Sequence, residues 1–170
     1  MEQNNTEKLK QIIFNLLQKM DFDVSIFERQ EEGRIVFNVK TRDAQLLIGR
    51  QGATLESLQH IIRVLYRKEM GDDRFPFALD IDDYKDKRVI YLKELARKAA
   101  HYVKDNRRAV SLTPMPAYER RVVHNYLSLY SDISSGSIGE EPNRKIIIRP
   151  KGPEKAKEKE DNVFDFIENS

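Results

Sequence analysis

The chain has 170 residues, of which 39% are hydrophobic and 34% are charged, so it allows one domain or two small ones and is too apolar to be disordered throughout. Its formal net charge of +2 hides an uneven distribution, because the last 20 residues carry four lysines and six acids. The sequence has no cysteine and three scattered histidines, so it predicts no disulfide and no metal or other cofactor. It has no leader pattern and no apolar run near the ~20 residues that span a bilayer, so it predicts a cytoplasmic location and no transmembrane segment.

The first predicted elements are a helix and a β-hairpin. Apolar residues at helical spacing follow Thr6, a suitable N-cap residue, which predicts an amphipathic helix over residues 6–20. Strands are predicted at residues 22–28 and 34–40, because apolar and polar residues alternate in the second strand and Gly33 provides the turn. The apolar stripe of the helix is expected in the core and consists of Leu9, Ile13, Leu16 and Met20.

A glycine turn between two helices is the most informative feature of the sequence. Residues 43–48 predict a short helix that runs into Gly49-Arg50-Gln51-Gly52, and an apolar face at helical spacing predicts a helix of about 16 residues from Ala53. Glycine has no Cβ, so the main chain can turn tightly and a sugar-phosphate backbone can approach its amides. Arg50 offers a cation to phosphate, so the turn is typical of a nucleic-acid clamp.

A third strand is predicted over residues 75–82, with Pro76 at its start indicating the edge of a sheet. The resulting order, helix, strand, strand, helix, glycine turn, helix and strand, resembles the bacterial type II KH domain, αββααβ. A Gly-x-x-Gly turn alone is common, so the resemblance depends on the consistency of the elements around it. It implies a KH domain over residues 1–83.

The KH resemblance also implies a binding mode. KH domains clamp the backbone of about four nucleotides and read unpaired bases in a hydrophobic groove beside the clamp. Val39, Ile48 and Leu58 are candidates for the groove, although packing in the core is the preferred role for at least two of them. The clamp itself would consist of Ile48, Gly49, Arg50, Gln51 and Gly52.

A helix with charges of mostly one sign opens the second half of the chain. Residues 84–104 place apolar side chains along one side, and residues 85–108 carry nine basic residues against three acidic ones. A charge run on a helix is usually a solvated face, but an excess of one sign is typical of a surface that faces phosphates. The run ends at Arg107 and Arg108, before a short strand predicted at residues 109–112.

The next helix, predicted over residues 116–127, carries an arginine and a histidine four residues apart. Arg120 and His124 therefore share one face, whereas Val123 and Leu127 share another. We expect Arg120 and His124 to be at least partly exposed and to contact one phosphate or base together. The alternative is that His124 caps or hydrogen-bonds the local backbone.

This half resembles the R-three-H domain, a small binder of single-stranded nucleic acid named for its Arg-x-x-x-His pair. The resemblance depends on the stretch from Ser111 to Leu127 and on the turn at residues 139–144 between strands predicted at 133–137 and 145–149. It implies a small sheet packed with helices over residues 84–150. The nucleic-acid surface would consist of Arg107, Arg108, Arg120, Arg121, His124 and Arg144.

In this order the two domains resemble the Jag or KhpB family, the SpoIIIJ-associated bacterial RNA-binding proteins, over residues 6–151. The resemblance implies an α+β protein that binds single-stranded RNA, or alternatively single-stranded DNA, as a post-transcriptional regulator linked to the cell envelope or division. It also implies a protein partner, either a small single-KH protein or a second copy of the chain. An adaptor associated with the membrane-insertase pathway is the alternative function.

The chain departs from this family in two places. Many relatives begin with an additional N-terminal Jag domain, for which there is no room before Thr6. The family tends to have a threonine where this chain has Ser135, and because the hydroxyl is kept we expect little consequence.

A rival interpretation is an enzyme acting on RNA, with His124 as the general base and Arg120 holding phosphate. Catalysis would need a further polar group, typically a carboxylate, and Glu119 lies about 100° around the helix. The sequence therefore predicts no catalytic residue. Residues 151–170 are predicted to form a charged flexible tail, in which an apolar cluster either binds a partner or packs on its own domain; it consists of Val163, Phe164, Phe166 and Ile167.

Overall fold

The computed structural model describes residues 2–31, 33–71 and 74–151, together with the backbone of residues 161 and 162. It separates into two compact units, the N-terminal unit (Met1–Lys85) and the C-terminal unit (Asp86–Ser170). Both units combine helices with a small sheet, so the prediction of an α+β protein is confirmed. The predicted turn at residue 32, the helix end at residues 72 and 73, and the apolar cluster at residues 163–167 lie outside the described residues.

The N-terminal unit has three helices and three strands. They are α1 (Glu2–Lys19), β1 (Ser25–Glu31), β2 (Arg34–Lys40), α2 (Ala44–Ile48), α3 (Ala53–Met70) and β3 (Phe77–Ile81), with a 3-10 turn at Arg50–Gly52. β1 and β2 form an antiparallel hairpin, and β3 pairs with β2 in parallel. The sheet order β1-β2-β3 leaves β3 at an edge, as Pro76 predicts.

The end of α1 explains why β1 begins three residues later than the sequence indicates. Asp21 takes a left-handed conformation with φ 62°. The N–H of Asp21 donates to the carbonyl of Gln18 at 3.0 Å, and that of Phe22 donates to the carbonyl of Leu17 at 3.0 Å. These are the two bonds that close a helix end in the Schellman arrangement. The apolar Phe22 is therefore part of the helix terminus rather than of the strand.

One face of the sheet packs against α1 and α3. Alternate residues of paired strands lie on the same face, and Phe37 is opposite Leu79 while Val39 is opposite Ile81. These side chains are buried in one core with apolar residues of the two helices, but Met20, predicted in the same stripe as Leu9, is exposed. Val39, Ile48 and Leu58, the candidates for a base-reading groove, all lie in this core, so core packing is the role that the structure gives them.

The other face of the sheet carries a polar network. Asp80 is fully buried, receives a hydrogen bond from Arg29 at 3.3 Å, and accepts the backbone N–H of Lys85 at 3.3 Å. The hydrogen bond from Lys40 lowers the pKa of the Asp83 carboxyl, which also accepts from Arg29 at 3.1 Å. The network fixes the connection from β3 to Tyr84, the residue that lies beneath the glycine turn.

Helix α4 (Tyr84–Asn106) begins at the end of the N-terminal unit and continues in the C-terminal unit. The remaining elements are β4 (Val110–Ser111), α5 (Ala117–Leu127), β5 (Ile133–Ile138), β6 (Lys145–Pro150) and β7 (Asp161–Asn162). The sheet order is β5-β6-β4-β7, in which the pairs of β6 are antiparallel and β7 runs parallel to β4. The two-residue β7 was not predicted, because it follows a charged stretch without strand character.

The core of the C-terminal unit is formed by α4, α5 and the sheet. Helix α4 contributes Leu92 and a stripe of small residues, among them Ala96 and Ala99, which allow close packing against its neighbours. Helix α5 contributes Val123 and Leu127, as the sequence predicts. The central strand β6 contributes Ile146 and Ile148.

Candidate nucleic-acid interface

The glycine turn joins α2 to α3 through left-handed backbone. Gly49 has φ 69° and its N–H donates to the carbonyl of Gln45 at 2.9 Å, which ends α2. Gln51 has φ 53°, and Gly52, with φ 83°, precedes the first residue of α3. Left-handed conformations favour glycine over residues with a side chain, so the local backbone requires the two glycines that the sequence singled out.

Both glycines are also required by their neighbours. A Cβ at Gly49 would lie 2.0 Å from Oγ1 of Thr54, and one at Gly52 would lie 3.0 Å from Cε1 of Tyr84. The sequence predicts that the glycines allow both a tight turn and the approach of a sugar-phosphate backbone, and the structure shows that Thr54 and Tyr84 leave no room for a Cβ at either position. Substitutions that test binding should therefore be made at Arg50 and Gln51.

The electrostatics of the turn favour an anion. Arg50 is exposed, while Ile48 and Gly52 are buried beneath it. Helix α3 has 18 residues and begins without a side-chain cap. The N–H of Ala53 donates to the carbonyl of Arg50, and the amides that follow it and the positive end of the dipole are directed at the turn. Glu56 is the acidic residue in the first turn of α3. The structure thus brings the five predicted clamp residues together, with Arg50 as the exposed cation.

In the C-terminal unit, His124 is held by two serines of β5. Its Nδ1 lies 2.8 Å from Oγ of Ser135, and its Nε2 lies 2.9 Å from Oγ of Ser137. Ser135 and Ser137 are two residues apart on a strand and so face the same side. The alternative prediction, that His124 caps or hydrogen-bonds the local backbone, is wrong, because both ring nitrogens are hydrogen-bonded to side-chain hydroxyls instead. The hydroxyl kept at Ser135 is one of them.

The imidazole of His124 is half-buried and beside a cation. Burial, and then the charge of Arg120, lower the pKa of His124 below its usual value of 6.5. The ring is therefore neutral at pH 7, with one nitrogen donating and the other accepting. A serine hydroxyl can donate or accept, so both contacts can be satisfied at once.

Arg120 is buried, which contradicts the expectation of partial exposure. Its Nη1 donates to the carbonyl of Met115 at 2.8 Å and its Nη2 to Oε1 of Glu141 at 2.7 Å. The guanidinium thus connects the start of α5 to the loop between β5 and β6. Arg120 shares a face with His124, but it also lies three and seven residues before Val123 and Leu127, so it belongs equally to the buried stripe.

Several cations of the basic run have partners within the protein. Arg88 makes two bonds, of 2.7 and 2.8 Å, to the buried carboxylate of Glu119, a pair that the sequence did not predict. Arg97 binds Glu94 and Lys104 binds Asp132 at 3.0 Å. The run is therefore partly neutralised rather than a continuous surface for phosphates.

The exposed arginines of the predicted set lie in three places. Arg144 immediately precedes β6, and its carbonyl accepts the N–H of Met115, whose carbonyl binds Arg120. Arg107 lies at the other end of β6, where it reaches the carbonyl of Lys151 at 3.5 Å. Because β6 has six residues, these ends are about 20 Å apart. Arg108 lies beside Arg107, while Arg121 is exposed on α5 next to Arg120.

Two other kinds of site were searched for in the described part of the chain. There, no group of three His, Cys, Asp or Glu side chains could hold a metal ion. No helix among the same residues is both long and apolar enough to cross a membrane.

Comparison with known proteins gives matches to two family models. Residues 6–75 match the KH domain of KhpA and KhpB, and residues 91–150 match the R-three-H domain. The curated relatives include proteins named RNA-binding protein KhpB from Clostridium symbiosum, 37% identical over 76% of this chain and 58% of the relative, and from Bacillus subtilis, 32% identical over 76% and 62%. A third, from Lactiplantibacillus plantarum, is 33% identical over 75% and 38%. The chain spans about half the length of the curated relatives it matches.

Proposed function

Because this chain belongs to the KhpB family, in which a KH domain is followed by an R-three-H domain, we propose that it binds single-stranded RNA and catalyses no reaction on it. The observation that carries the proposal is the glycine turn, where the exposed Arg50 lies at the uncapped start of an 18-residue helix. The KH domain would occupy residues 1–83 and the R-three-H domain residues 84–150. A link to regulation of the cell envelope or division stays a prediction of the family resemblance.

The turn would hold the backbone of the RNA. A phosphate at the start of α3 would accept hydrogen bonds from main-chain amides and a charge-assisted bond from Arg50. Such contacts position a strand without reading its sequence. The glycines keep the surface low enough for the sugar-phosphate chain, as in KH domains that clamp about four nucleotides.

The His124 face would supply a second contact. Both ring nitrogens of His124 are used by Ser135 and Ser137, so a contact with a base or sugar would exchange one of these hydrogen bonds. The exposed Arg121 and Arg144 can neutralise phosphates. Arg120 has a supporting role here, because its guanidinium is used in holding the loop that carries Glu141. Two contacts on one chain raise affinity through effective concentration when one RNA reaches both.

The test is to reverse the charge of the turn without changing its glycines. Arg50→Asp with Gln51→Asp should weaken binding of a short single-stranded RNA at least tenfold, measured by fluorescence anisotropy with the full chain. Gln18→Glu with Lys19→Glu is the matched control, because it makes the same change in net charge at exposed positions near the end of α1. Circular dichroism checks that both variants fold. Equal weakening by both would contradict a clamp at this turn.

A second candidate function, binding of a protein partner, is favoured by the outer face of α3. Ile61 and Val64 lie three residues apart on this helix and are 45% and 43% exposed. Apolar side chains so spaced suit helix-to-helix packing. The partner would be a small single-KH protein or a second copy of the chain. Sedimentation of the wild type and of Ile61→Asp tests the second copy, and a wild type that stays monomeric as its concentration rises would exclude it.

A further inference from the structure

The C-terminal unit carries an aromatic cluster away from the His124 face. The rings of Tyr126 and Tyr130 are 6.2 Å apart between centroids and tilted by 51°, and the ring of His101 meets Tyr130 edge-on at 6.3 Å. Tyr126 follows His124 by two residues, so it lies about 200° around α5. The two tyrosines are half-buried and His101 is exposed, so the cluster has a surface that a flat molecule could contact.

Cationic side chains on α4 border this cluster. Arg97 lies one turn before His101 and is held by Glu94 through two bonds of 2.7 and 2.8 Å. This carboxylate binds the edge of the guanidinium, which leaves its faces available for stacking. Lys93 is exposed one turn earlier, and Lys104 follows His101 by three residues and binds Asp132 at 3.0 Å. These positions share one side of α4.

We propose that Arg97, His101, Tyr126 and Tyr130 form a stacking surface for an unpaired base of single-stranded RNA. Aromatic rings and guanidinium planes hold bases without regard to sequence, because every base has a π-face. The exposed Lys93 and the flat guanidinium of Arg97 beside the rings favour a nucleic acid over an apolar protein segment as the occupant. Lys93 is placed to neutralise the phosphate next to the stacked base. The inference rests on the proposed function and adds a contact on the opposite flank of α5 from His124.

The rings can be removed singly in the full chain. His101→Ala and Tyr130→Leu should each weaken binding of a single-stranded RNA by roughly 5- to 100-fold, the range for loss of one stacked base. Tyr130→Phe keeps the ring and should bind within about twofold of the wild type. Tyr118→Leu is the matched control, because Tyr118 is 65% exposed on α5 about 80° around the helix from Tyr126, whereas Tyr130 lies just after the end of α5.

Tyrosine fluorescence gives a second measurement. The chain has seven tyrosines and no tryptophan, so its intrinsic emission comes from tyrosine. A base stacked at this surface should quench part of the emission, and Tyr130→Leu should remove more of that quenching than Tyr118→Leu.

The outcomes separate this inference from the proposed function. If the wild type binds RNA and Arg50→Asp with Gln51→Asp weakens it, but folded His101→Ala and Tyr130→Leu bind normally, the stacking surface is overturned and the RNA-binding function remains. If the wild type does not bind RNA, both fail together. His101 is exposed, so His101→Ala decides the question even if Tyr130→Leu does not fold. Loss of a protein partner without loss of RNA affinity would also overturn the proposal.

Discussion

Arg120 and His124 share a helix face but have different surroundings. Arg120 bonds a backbone carbonyl and Glu141, while His124 lies between two serine hydroxyls. The sequence placed them side by side correctly, because spacing on a helix fixes direction. It could not show that Arg120 is buried, since that depends on the loop carrying Glu141, which is 21 residues away. Ser135 and Ser137 alternate along β5, and this spacing in the sequence could have identified them as partners of His124.

The pKa of His124 makes stability depend on pH. Because the folded pKa is lowered, the unfolded chain binds more protons near its usual value of about 6.5 and below. The contribution of neutral His124 is thus present above pH 6.5 and is lost as the pH falls through the lower folded value. We predict that the free energy of unfolding, from urea titrations at pH 7.5 and 5.5, falls more in the wild type than in His124→Gln. An equal fall in both would contradict burial as the cause.

The collision between a Cβ at position 49 and Thr54 can be separated from backbone strain. Gly49→Ala should lower the free energy of unfolding by about 2 kcal/mol or more, because it adds that contact to the cost of a left-handed alanine. Gly71→Ala is the control, since Gly71 has φ 71° but no atom within 4 Å of its Cβ position. It should cost about 1 kcal/mol. Urea denaturation measures both, and equal losses would mean that Thr54 moves aside.

At the scale of elements, the chain order of helices and strands was predictable because each has a clear hydrophobic period. The apolar residues that these periods pick out in α3 and β2 lie in the core or pack against it, as do Leu9, Ile13 and Leu16 of α1. The prediction is wrong for Met20, which lies after the last residue of α1 and is 45% exposed. The parallel pairing of β3 with β2 was not predicted, because the alternation within a strand does not show which strand it pairs with or in which direction. The pair of Arg88 and Glu119 joins residues 31 apart, and local sequence carries no signal for such a contact.

This pair should contribute strongly to the C-terminal unit. Arg88→Ala leaves the buried carboxylate of Glu119 without its cation, which should cost about 3–5 kcal/mol in the free energy of unfolding. Arg88→Met with Glu119→Met removes both charges and should cost less. Arg97→Ala breaks an equally well-formed but exposed pair on the same helix and should cost only a small fraction of that loss. A double-mutant cycle by urea denaturation measures the coupling, and a value near zero would contradict it.

At the scale of the whole molecule, RNA affinity should depend on salt less than the composition suggests. If all nine cations of residues 85–108 contacted phosphates, the slope of log K against log salt would include about 6 from this run alone. Lys85 is half-buried, and Arg88, Arg97 and Lys104 bind carboxylates, so fewer of the nine cations are available to phosphates.

The remaining contribution can be measured at Arg107 and Arg108. Arg107→Ala with Arg108→Ala should reduce the slope by about 1.4 if both contact phosphate, at 0.7 for each. Lys8→Ala with Lys10→Ala is the control, since both lysines bind carboxylates at 2.8 Å in the N-terminal unit, and it should leave the slope unchanged. Titrations of a single-stranded RNA at several salt concentrations measure the slope for the wild type and for both variants. An unchanged slope in the arginine variant would place these residues outside the interface.

In the glycine turn, the residues that set the path of the main chain differ from the residue that offers a charge to a ligand. This has a consequence for engineering and for evolution. Thr54 and Tyr84 occupy the space of the missing Cβ atoms, so the path of the main chain is set by positions 49 and 52 and their neighbours. Position 50 can then be replaced by residues of different charge and size while the loop keeps its course, whereas position 51, with φ 53°, favours residues that accept a left-handed backbone, such as Asn, Asp or Gly. A library that varies position 50 freely and position 51 only among such residues would sample a range of RNA affinities on one backbone path, so binding strength can change in single mutational steps.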